Sequence, residues 1–225
     1  MSDGMHPELS PSTSSTPVPE IKKVQVGCGP HNILPGWWNV DIRSFPGIDH
    51  VMDVTQPWSF HDLDYVYGEH FLEHLNVAGA IAFLNHAWHS LRSGGVLRLS
   101  TPSLEWVLST HFSLTEANPD RRISSTFQIN RAFHGWGHQF LYSKELLTSL
   151  LDHVGYHAIT YCEYGSSAHS ALSGLERHGG YSSANGYPSV WIVEASKRGD
   201  RSDAKFATYQ RFVNENFLKY LEAGH

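Results

Sequence analysis

The stretch that most constrains the fold is VQVGCGPHNILPGWWNVDI, which runs from Val24 to Ile42. It begins as an apolar strand that enters the turn Gly27-Cys28-Gly29, and it ends at Asp41 on a second predicted strand. Glycines placed directly after a strand let the backbone turn sharply and lie close against a ligand. This order of strand, glycine turn and strand is typical of open α/β sheets that bind nucleotides.

The same stretch disfavours a dinucleotide as the ligand. The usual fingerprint has a third glycine where this chain has Asn32, and it has an acidic residue about 20 positions further on. Here Asp41 follows Gly29 by only 12 positions, and Pro30 and Pro35 leave room for at most one helical turn. A pyrophosphate binds at the N-terminus of a full helix. A nucleoside cofactor without phosphates, such as S-adenosylmethionine (SAM), needs only the close backbone and a carboxylate for the ribose, which Asp41 supplies.

Seven short strands separated by helices and glycine turns predict an open, twisted, Rossmann-like α/β sheet whose first helix is shortened. We expect a helix over residues 71–91, ended by Ser93-Gly94-Gly95, and an irregular segment over 103–142. A second helix is predicted to begin at the N-cap Ser143 and to end at Gly155. Residues 1–19 are predicted to be disordered, 20–200 to form the folded domain, and 201–225 to form a C-terminal helix that packs on the domain or on a dimer partner.

Composition narrows the class of partner. The chain has 225 residues with a net charge of −6, and its few basic residues are scattered, which argues against nucleic acid as a partner. No apolar run approaches the length of a membrane span. Two cysteines imply no disulfide framework, so we expect a cytoplasmic protein.

Several motifs together resemble the class I SAM-dependent methyltransferases, and among them a compact bacterial subgroup. They are VGCGPHNILPGWWNVDI, DVTQPW, DYVYGEHFLEHL and HSLRSGGVLRLSTPS, followed by WGHQFLYSKELLTSLLDHVGY and GSSAHSALSGLERH. The resemblance covers about residues 21–197 and makes residues 20–200 a methyltransferase domain. It implies SAM as the cofactor, with the glycine turn on the methionine portion, Asp41 on the ribose hydroxyls, Asp53 and Val54 beside the adenine, and Glu69 and His70 beside the methionine amino group and the sulfonium. The expected cofactor-binding set is Gly27, Cys28, Gly29, Asn32, Asp41, Ile42, Asp53, Val54, Glu69 and His70.

Two further segments are expected to contact the methyl acceptor. The sequence AFHGWGHQFLY lies where an open α/β methyltransferase would carry a lid. We expect His138 to be the general base, because Trp136 and Phe140 on either side of it would exclude water and keep the imidazole neutral; His70 and His134 are the other candidates. The second segment is the late loop, GSSAHSALSGLERH, residues 165–178 between the sixth and seventh predicted strands. Across the two segments the acceptor is expected to contact Trp136, Tyr142, Ser167, His169 and Glu176.

The run His70-Phe71-Leu72-Glu73-His74 also matches H-x-x-E-H, an inverted zinc-peptidase signature. On one helix the two histidines would share a face, as zinc ligands do. A predicted strand ends immediately before His70, however, and the spacing identifies no third ligand. We therefore expect no metal, and we expect Glu73 and His74 to support a polar helix start beside the cofactor.

The sequence thus predicts a SAM-dependent methyltransferase that acts on a hydroxyl or amine of a small molecule such as a sugar, a glycan precursor or a secondary metabolite, with a homodimer possible. Two alternatives stay open at this stage. One is a zinc-dependent hydrolase that uses the H-x-x-E-H segment, and the other is a non-catalytic SAM-binding protein.

Overall fold

A computed structural model describes residues 21–178 and 185–222, so the predicted disorder of residues 1–19 lies outside the described part of the chain. Seven strands form one sheet: β1 Lys23–Val26, β2 Trp38–Asp41, β3 His50–Val51, β4 Leu63–Glu69, β5 Leu91–Pro102, β6 Tyr156–Tyr161 and β7 Val190–Lys197. Their order in space is β3-β2-β1-β4-β5-β7-β6, with β7 antiparallel to both β5 and β6. The predicted open α/β sheet of about seven strands is confirmed.

Helices lie along the chain as α1 Val77–Ser90, α2 Leu104–His111, α3 Pro119–His134, α4 Lys144–Val154 and α5 Asp203–Val213. A π-helical segment, Asn214–Leu218, joins α5 to α6 Lys219–Glu222. The segment between β1 and β2 contains turns but no helix, as the two prolines in it predict. None of the helices in the described ranges is both long enough and apolar enough to cross a bilayer.

The main core lies where the strands of the sheet pack against α1 and α4. Strand side chains are β-branched or leucine, and the helices contribute leucine and phenylalanine, so both surfaces are apolar and exclude water. Buried members of this core include Val24, Val26, Val66, Leu97, Leu99, Phe83, Leu84, Leu147, Leu150 and Leu151.

The caps of α4 form as the sequence predicts. The Ser143 hydroxyl accepts a hydrogen bond from the Leu146 amide at 3.2 Å, and Gly155 ends the helix in the left-handed conformation with φ 112°. Glycine is favoured at that position because it carries no Cβ. The next residue, Tyr156, begins β6, which lies at one edge of the sheet.

Two expectations about helices are corrected. The helix predicted over 71–91 begins only at Val77, where the Asn76 side chain caps the Gly79 amide at 2.8 Å, and it ends at Ser90 before the glycines. An uncapped 3-10 turn over Leu72–His74 precedes it. The region 103–142, predicted to be irregular, contains α2 and α3, whose N-caps Ser103 and Asn118 were not recognised in the sequence.

The C-terminal helix packs on its own domain. Tyr209 is buried and stacks on His153 of α4 with ring centroids 4.2 Å apart, and Phe217 meets Phe140 at 5.3 Å. Phe212 and Tyr220 from the same region stay exposed. The predicted dimer contact stays a prediction.

Candidate active site

A cavity of about 640 Å³ opens at the carboxyl ends of β1, β2 and β4. Its size lies in the range of small-molecule sites, and its place is where open α/β sheets bind ligands. Its walls come from the glycine turn, the ends of β2 and β3, the chain after β4, the start of α1, and the segment after α3. The lining residues are Gly27, Asp41, Ile42, Arg43, Met52, Asp53, Val54, Thr55, His70, Phe71, His74, Leu75, Asn76, Gly79, Trp136 and Gln139.

Gly27 is required by the geometry of the turn. Its φ is 61°, and a Cβ added there would lie 2.4 Å from Cδ2 of Phe71. Any larger residue would therefore both adopt a strained backbone and clash with the phenyl ring. The Phe71 ring thus packs directly against the Cα of Gly27 and supports the turn.

Asp41 stands at the end of β2 and is 6% exposed. Its Oδ2 accepts a hydrogen bond from the Gly29 amide at 3.0 Å, and its Oδ1 accepts from the amide of Arg43 at 3.0 Å and from Nε of Arg43 at 3.3 Å. A carboxylate offers about four acceptor positions. At least one therefore remains on Oδ2, and the Arg43 side chain is exposed enough to be displaced by a ligand.

Asp53 and Val54 follow β3 on the adjacent wall. The Asp53 Oδ1 accepts from the amide and the hydroxyl of Thr55 at 2.9 and 2.7 Å, which fixes the turn after the strand. Ile42 contributes an exposed apolar side chain to the same region of the cavity. An apolar surface beside a carboxylate is suited to the ring and the amino group of a nucleobase.

Four members of the predicted cofactor set lie outside the cavity wall. Cys28 is buried behind it, and burial, aided by the charge of Asp41, raises the pKa of the Cys28 thiol to about 11. Gly29 reaches the site through its bond to Asp41. Asn32 is buried, and its side chain donates to the Glu69 carboxylate at 3.4 Å.

Glu69, at the end of β4, binds the late loop instead of facing the cavity. Its Oε1 accepts hydrogen bonds from the amides of Arg177 and His178 at 2.6 and 2.8 Å. The Arg177 guanidinium in turn donates to the carbonyl of His31. Glu69 thus ties the glycine turn, β4 and the late loop together beside the cavity.

His70 follows β4 with a φ of 44°, a strained value for a residue with a Cβ. Its Nδ1 is hydrogen-bonded to Oε1 of Glu73 at 2.9 Å, while its Nε2 is buried without a partner among the described residues. Burial lowers the pKa of His70, but the hydrogen bond to Glu73 and the charges of Glu73 and Glu69 outweigh it, so the pKa is raised overall. His70 lines the cavity and lies next to the glycine turn through Phe71.

The helical arrangement required by an H-x-x-E-H zinc site is not formed. His70 lies outside any helix, and His74 ends the 3-10 turn over Leu72–His74, so the two histidines do not share a helical face. The helical motif does not form because His70, directly after β4, has a left-handed backbone with φ 44° and the 3-10 turn begins only at Leu72. Nδ1 of His70 is bound to Glu73.

Residues of the predicted lid are distributed over four environments. Trp136 lines the cavity and is 72% exposed, with φ 56°. His138 lies behind the wall, where its Nδ1 is 2.8 Å from the carbonyl oxygen of Ala132 and its ring packs against His74 with centroids 5.1 Å apart. His134 is exposed at the end of α3, and Tyr142 is completely buried in the core.

Residues from the late loop do not reach this cavity. Ser167 and His169 line a separate cavity of about 590 Å³ beside β6 and β7. Glu176 is buried and forms a bidentate ion pair with Arg98, with Nε to Oε1 at 2.6 Å and Nη2 to Oε2 at 2.9 Å. Arg98 also binds Glu194, so Glu176 anchors the loop to the sheet.

Sequence reasoning missed Arg43, Asn76 and Gln139 as cavity residues. Arg43 could have been found from its place two residues after Asp41. Asn76 could have been found as the N-cap of α1, had the helix been predicted to begin at Val77. Gln139 had none, because only tertiary contacts bring the segment after α3 to the turn before α1.

Comparison with known proteins places this geometry in a structural class. No family model matches the chain, and the search of curated proteins gives no significant match. Solved structures do match. A SAM-dependent methyltransferase from Archaeoglobus fulgidus has 14% identity and a TM-score of 0.50, with 79% of this chain and 86% of that chain covered.

Two further structures carry the same fold. A SAM-dependent methyltransferase from Thermotoga maritima, described as a possible histamine N-methyltransferase, has 15% identity and a TM-score of 0.51 over 80% of this chain and 84% of that one. The Haemonchus contortus phosphoethanolamine N-methyltransferase 2, solved with phosphomonomethylethanolamine and S-adenosylhomocysteine, has 11% identity and a TM-score of 0.53 over 81% of this chain. This chain spans half the length of that nematode enzyme and of the CurJ carbon methyltransferase, which also matches. The chain therefore has the open α/β fold of the class I SAM-dependent methyltransferases.

Proposed function

We propose that this protein transfers a methyl group from SAM to a small-molecule acceptor. The observation that carries the proposal is the meeting of the glycine turn, Asp41 and Asp53 in one cavity at the carboxyl ends of the strands. A ribose needs a carboxylate with a free acceptor position, and Asp41 has one. The absence of a helix between β1 and β2, a segment wholly within the described range, removes the site at which a pyrophosphate would bind.

The sulfonium of SAM already carries an activated methyl group, so the protein's task is to align the acceptor and to exclude water. Positioning of two reactants can contribute roughly 7–11 kcal/mol to lowering the barrier. The apolar part of the cavity wall includes Trp136 and Phe71. The polar groups that could orient an acceptor include His74 and Gln139. The acceptor class that fits is a hydroxyl or amine of a small polar molecule.

A histidine on the cavity wall is the candidate to take the acceptor's proton. We favour His70 over His138, because His70 lines the cavity, whereas the His138 ring lies behind His74. When Nδ1 of His70 donates to Glu73, its Nε2 presents a lone pair, and the Glu73 contact holds the ring in place. Glu73 acts as a positioning residue in this arrangement.

Transfer of labelled methyl from SAM tests the proposal. Purified protein is incubated with methyl-labelled SAM and a cell extract that has been separated into small molecules, protein and nucleic acid. We expect label in the small-molecule fraction, and much less with Asp41→Asn. Label confined to protein or nucleic acid would contradict the small-molecule acceptor. Tight SAM binding with no transfer to any fraction would favour the non-catalytic alternative.

A further inference from the structure

Three potential metal ligands meet next to the cavity, and no part of the proposed methyl transfer requires them to do so. Glu73, His74 and His138 each offer one ligand atom, and these atoms all lie within 4.8 Å of one another. Two imidazoles and a carboxylate form a donor set that zinc and ferrous iron take in proteins. The set differs from the H-x-x-E-H pairing, because His138 replaces His70.

The polypeptide holds the three residues together through main-chain bonds. The carbonyl oxygen of Glu73 accepts from the amides of Gln139 and Phe140 at 2.7 and 3.2 Å. The Gln139 side chain donates to the carbonyl oxygen of His74 at 2.7 Å. The turn before α1 is thus bonded directly to the segment that carries His138, so the cluster does not depend on flexible side chains meeting by chance.

Outer contacts orient the ligand atoms as they do in known metal sites. Nδ1 of His138 lies 2.8 Å from the carbonyl oxygen of Ala132, which can only accept, so Nδ1 carries the proton and Nε2 presents its lone pair. The Glu73 carboxylate accepts from His70 at 2.9 Å and from the Thr101 hydroxyl at 3.1 Å. Those bonds use about half of its acceptor positions and leave the others for a cation.

Charge gives a second reason for a cation. Glu73 is 0% exposed, and a buried carboxylate is costly unless it is paired. Among the residues that the structure describes, its one ion-pair partner is His70, and neither Lys nor Arg contacts it. A divalent cation would supply the missing positive charge.

The geometry requires only small adjustments. Ligand atoms around a tetrahedral zinc lie roughly 3.4 Å apart, given bonds of about 2.0–2.1 Å. The three ligand atoms lie within 4.8 Å of one another, so binding of an ion would have to draw them closer together. His74 lines the cavity with Trp136 and Gln139, so an ion bound to it would be reached from the cavity.

We propose that Glu73, His74 and His138 bind one divalent transition-metal ion, with an open coordination position toward the cavity for an oxygen or nitrogen of the acceptor. The role at the acceptor rests on the proposed methyl transfer, whereas the metal site itself does not. The ion would hold the acceptor atom against the wall and favour loss of its proton. This inference replaces the expectation from the sequence that no metal binds.

Zinc binding to the untagged, full-length protein tests the proposal. The protein is stripped with a chelator and titrated calorimetrically with zinc chloride, and bound zinc is measured by elemental analysis after gel filtration. We expect about one zinc per chain, and affinity at least roughly ten-fold weaker for His74→Ala and for His138→Gln. Magnesium, which prefers oxygen ligands, should not compete.

His157→Ala is the matched control, because His157 is exposed on β6 and the chain has 16 histidines that could bind zinc adventitiously. Unchanged affinity in this variant supports the site. No retained zinc in the wild type, or equal affinity in all three variants, would overturn the proposal. If a variant melts early, the cobalt(II) spectrum of the wild type decides: absorption typical of imidazole ligation supports the site, and a spectrum of hydrated cobalt contradicts it.

Binding of S-adenosylhomocysteine to the metal-free protein separates this proposal from the proposed function. Binding of the nucleoside without zinc binding would end the metal proposal and leave methyl transfer standing. Zinc binding without binding of S-adenosylhomocysteine would support the metal site and contradict the proposed methyl transfer.

Discussion

Replacement of Asp41 by asparagine changes the cofactor site only at the two carboxylate oxygens of this side chain. The carboxylate receives three donors, from the Gly29 amide and from two nitrogens of Arg43, so at least one acceptor position remains for a ribose hydroxyl. Asparagine keeps the shape but removes the charge and replaces one oxygen by a donor. That NH₂ group takes either the Oδ2 position, where it opposes the Gly29 amide and the ribose, or the Oδ1 position, where it opposes the two Arg43 nitrogens. In both arrangements the ribose hydroxyl loses a charged acceptor.

Hydrogen bonds to a charged group contribute roughly 1.5–3 kcal/mol. Loss of one such bond corresponds to a dissociation constant for S-adenosylhomocysteine that rises roughly 10- to 150-fold. Isothermal titration calorimetry at constant pH measures the change. The melting temperature should fall only slightly, because Asp41→Asn still offers one oxygen to the Gly29 amide.

Asp64→Asn is the control for this experiment. Asp64 lies near the opposite end of β4, where its carboxylate accepts from Arg92 at 2.6 Å and from the Lys22 amide at 2.8 Å. The control should lose some stability and keep its affinity for the nucleoside. If Asp41→Asn binds as tightly as the wild type, Asp41 does not hold the ribose and the orientation assigned to the cofactor is wrong.

Three further predictions concern other parts of the fold. Gly27→Ala should lower the free energy of unfolding by about 2 kcal/mol or more and weaken nucleoside binding, since its Cβ would lie 2.4 Å from Phe71; urea denaturation checks this, and an unchanged midpoint would contradict it. Arg98→Leu leaves the carboxylates of Glu176 and Glu194 without their shared partner and should cost about 3–5 kcal/mol in urea, whereas a loss under 1 kcal/mol would show that the carboxylates find other partners. Because the pKa of Cys28 is raised to about 11, only about one thiol in a thousand is ionised at pH 8. Iodoacetamide should therefore leave Cys28 unmodified in the native protein and alkylate it in urea. Rapid labelling of the native protein, measured by peptide mass spectrometry, would contradict the burial of Cys28.

Local signals in the sequence were sufficient to identify the seven strands and α4, but not the order of the strands or the antiparallel direction of β7. Alternating or continuous apolar runs marked all seven strands, and Ser143 and Gly155 marked a helix whose two ends are set by nearest neighbours. The late start of α1 was missed because the polar turn over Leu72–His74 has the composition of a helix. Its course is set by the backbone of His70, whose φ of 44° no local rule predicts.

In the candidate site, too, residues with a local sequence signal were found, and residues placed by long-range contacts were not. Gly27, Asp41, Asp53 and His70 were identified because each lies at or just beyond the carboxyl end of a strand, and parallel strands bring such positions together. The contacts of Glu176 with Arg98, and of His138 with His74, join residues far apart in the chain. Sequence spacing carries no information on such pairs, so histidine and glutamate positions in loops were assigned to the acceptor when some of them anchor the fold.

Calorimetric titration of the wild-type protein with S-adenosylhomocysteine, with NAD as the comparison ligand, tests the central claim most directly. The short turn between β1 and β2, the closeness of Gly27 to Phe71 and the free acceptor position on Asp41 predict that one equivalent of S-adenosylhomocysteine binds per chain and that NAD gives no heat of binding. Binding of NAD, or no binding of S-adenosylhomocysteine to folded protein, would contradict the assignment of this cavity to SAM.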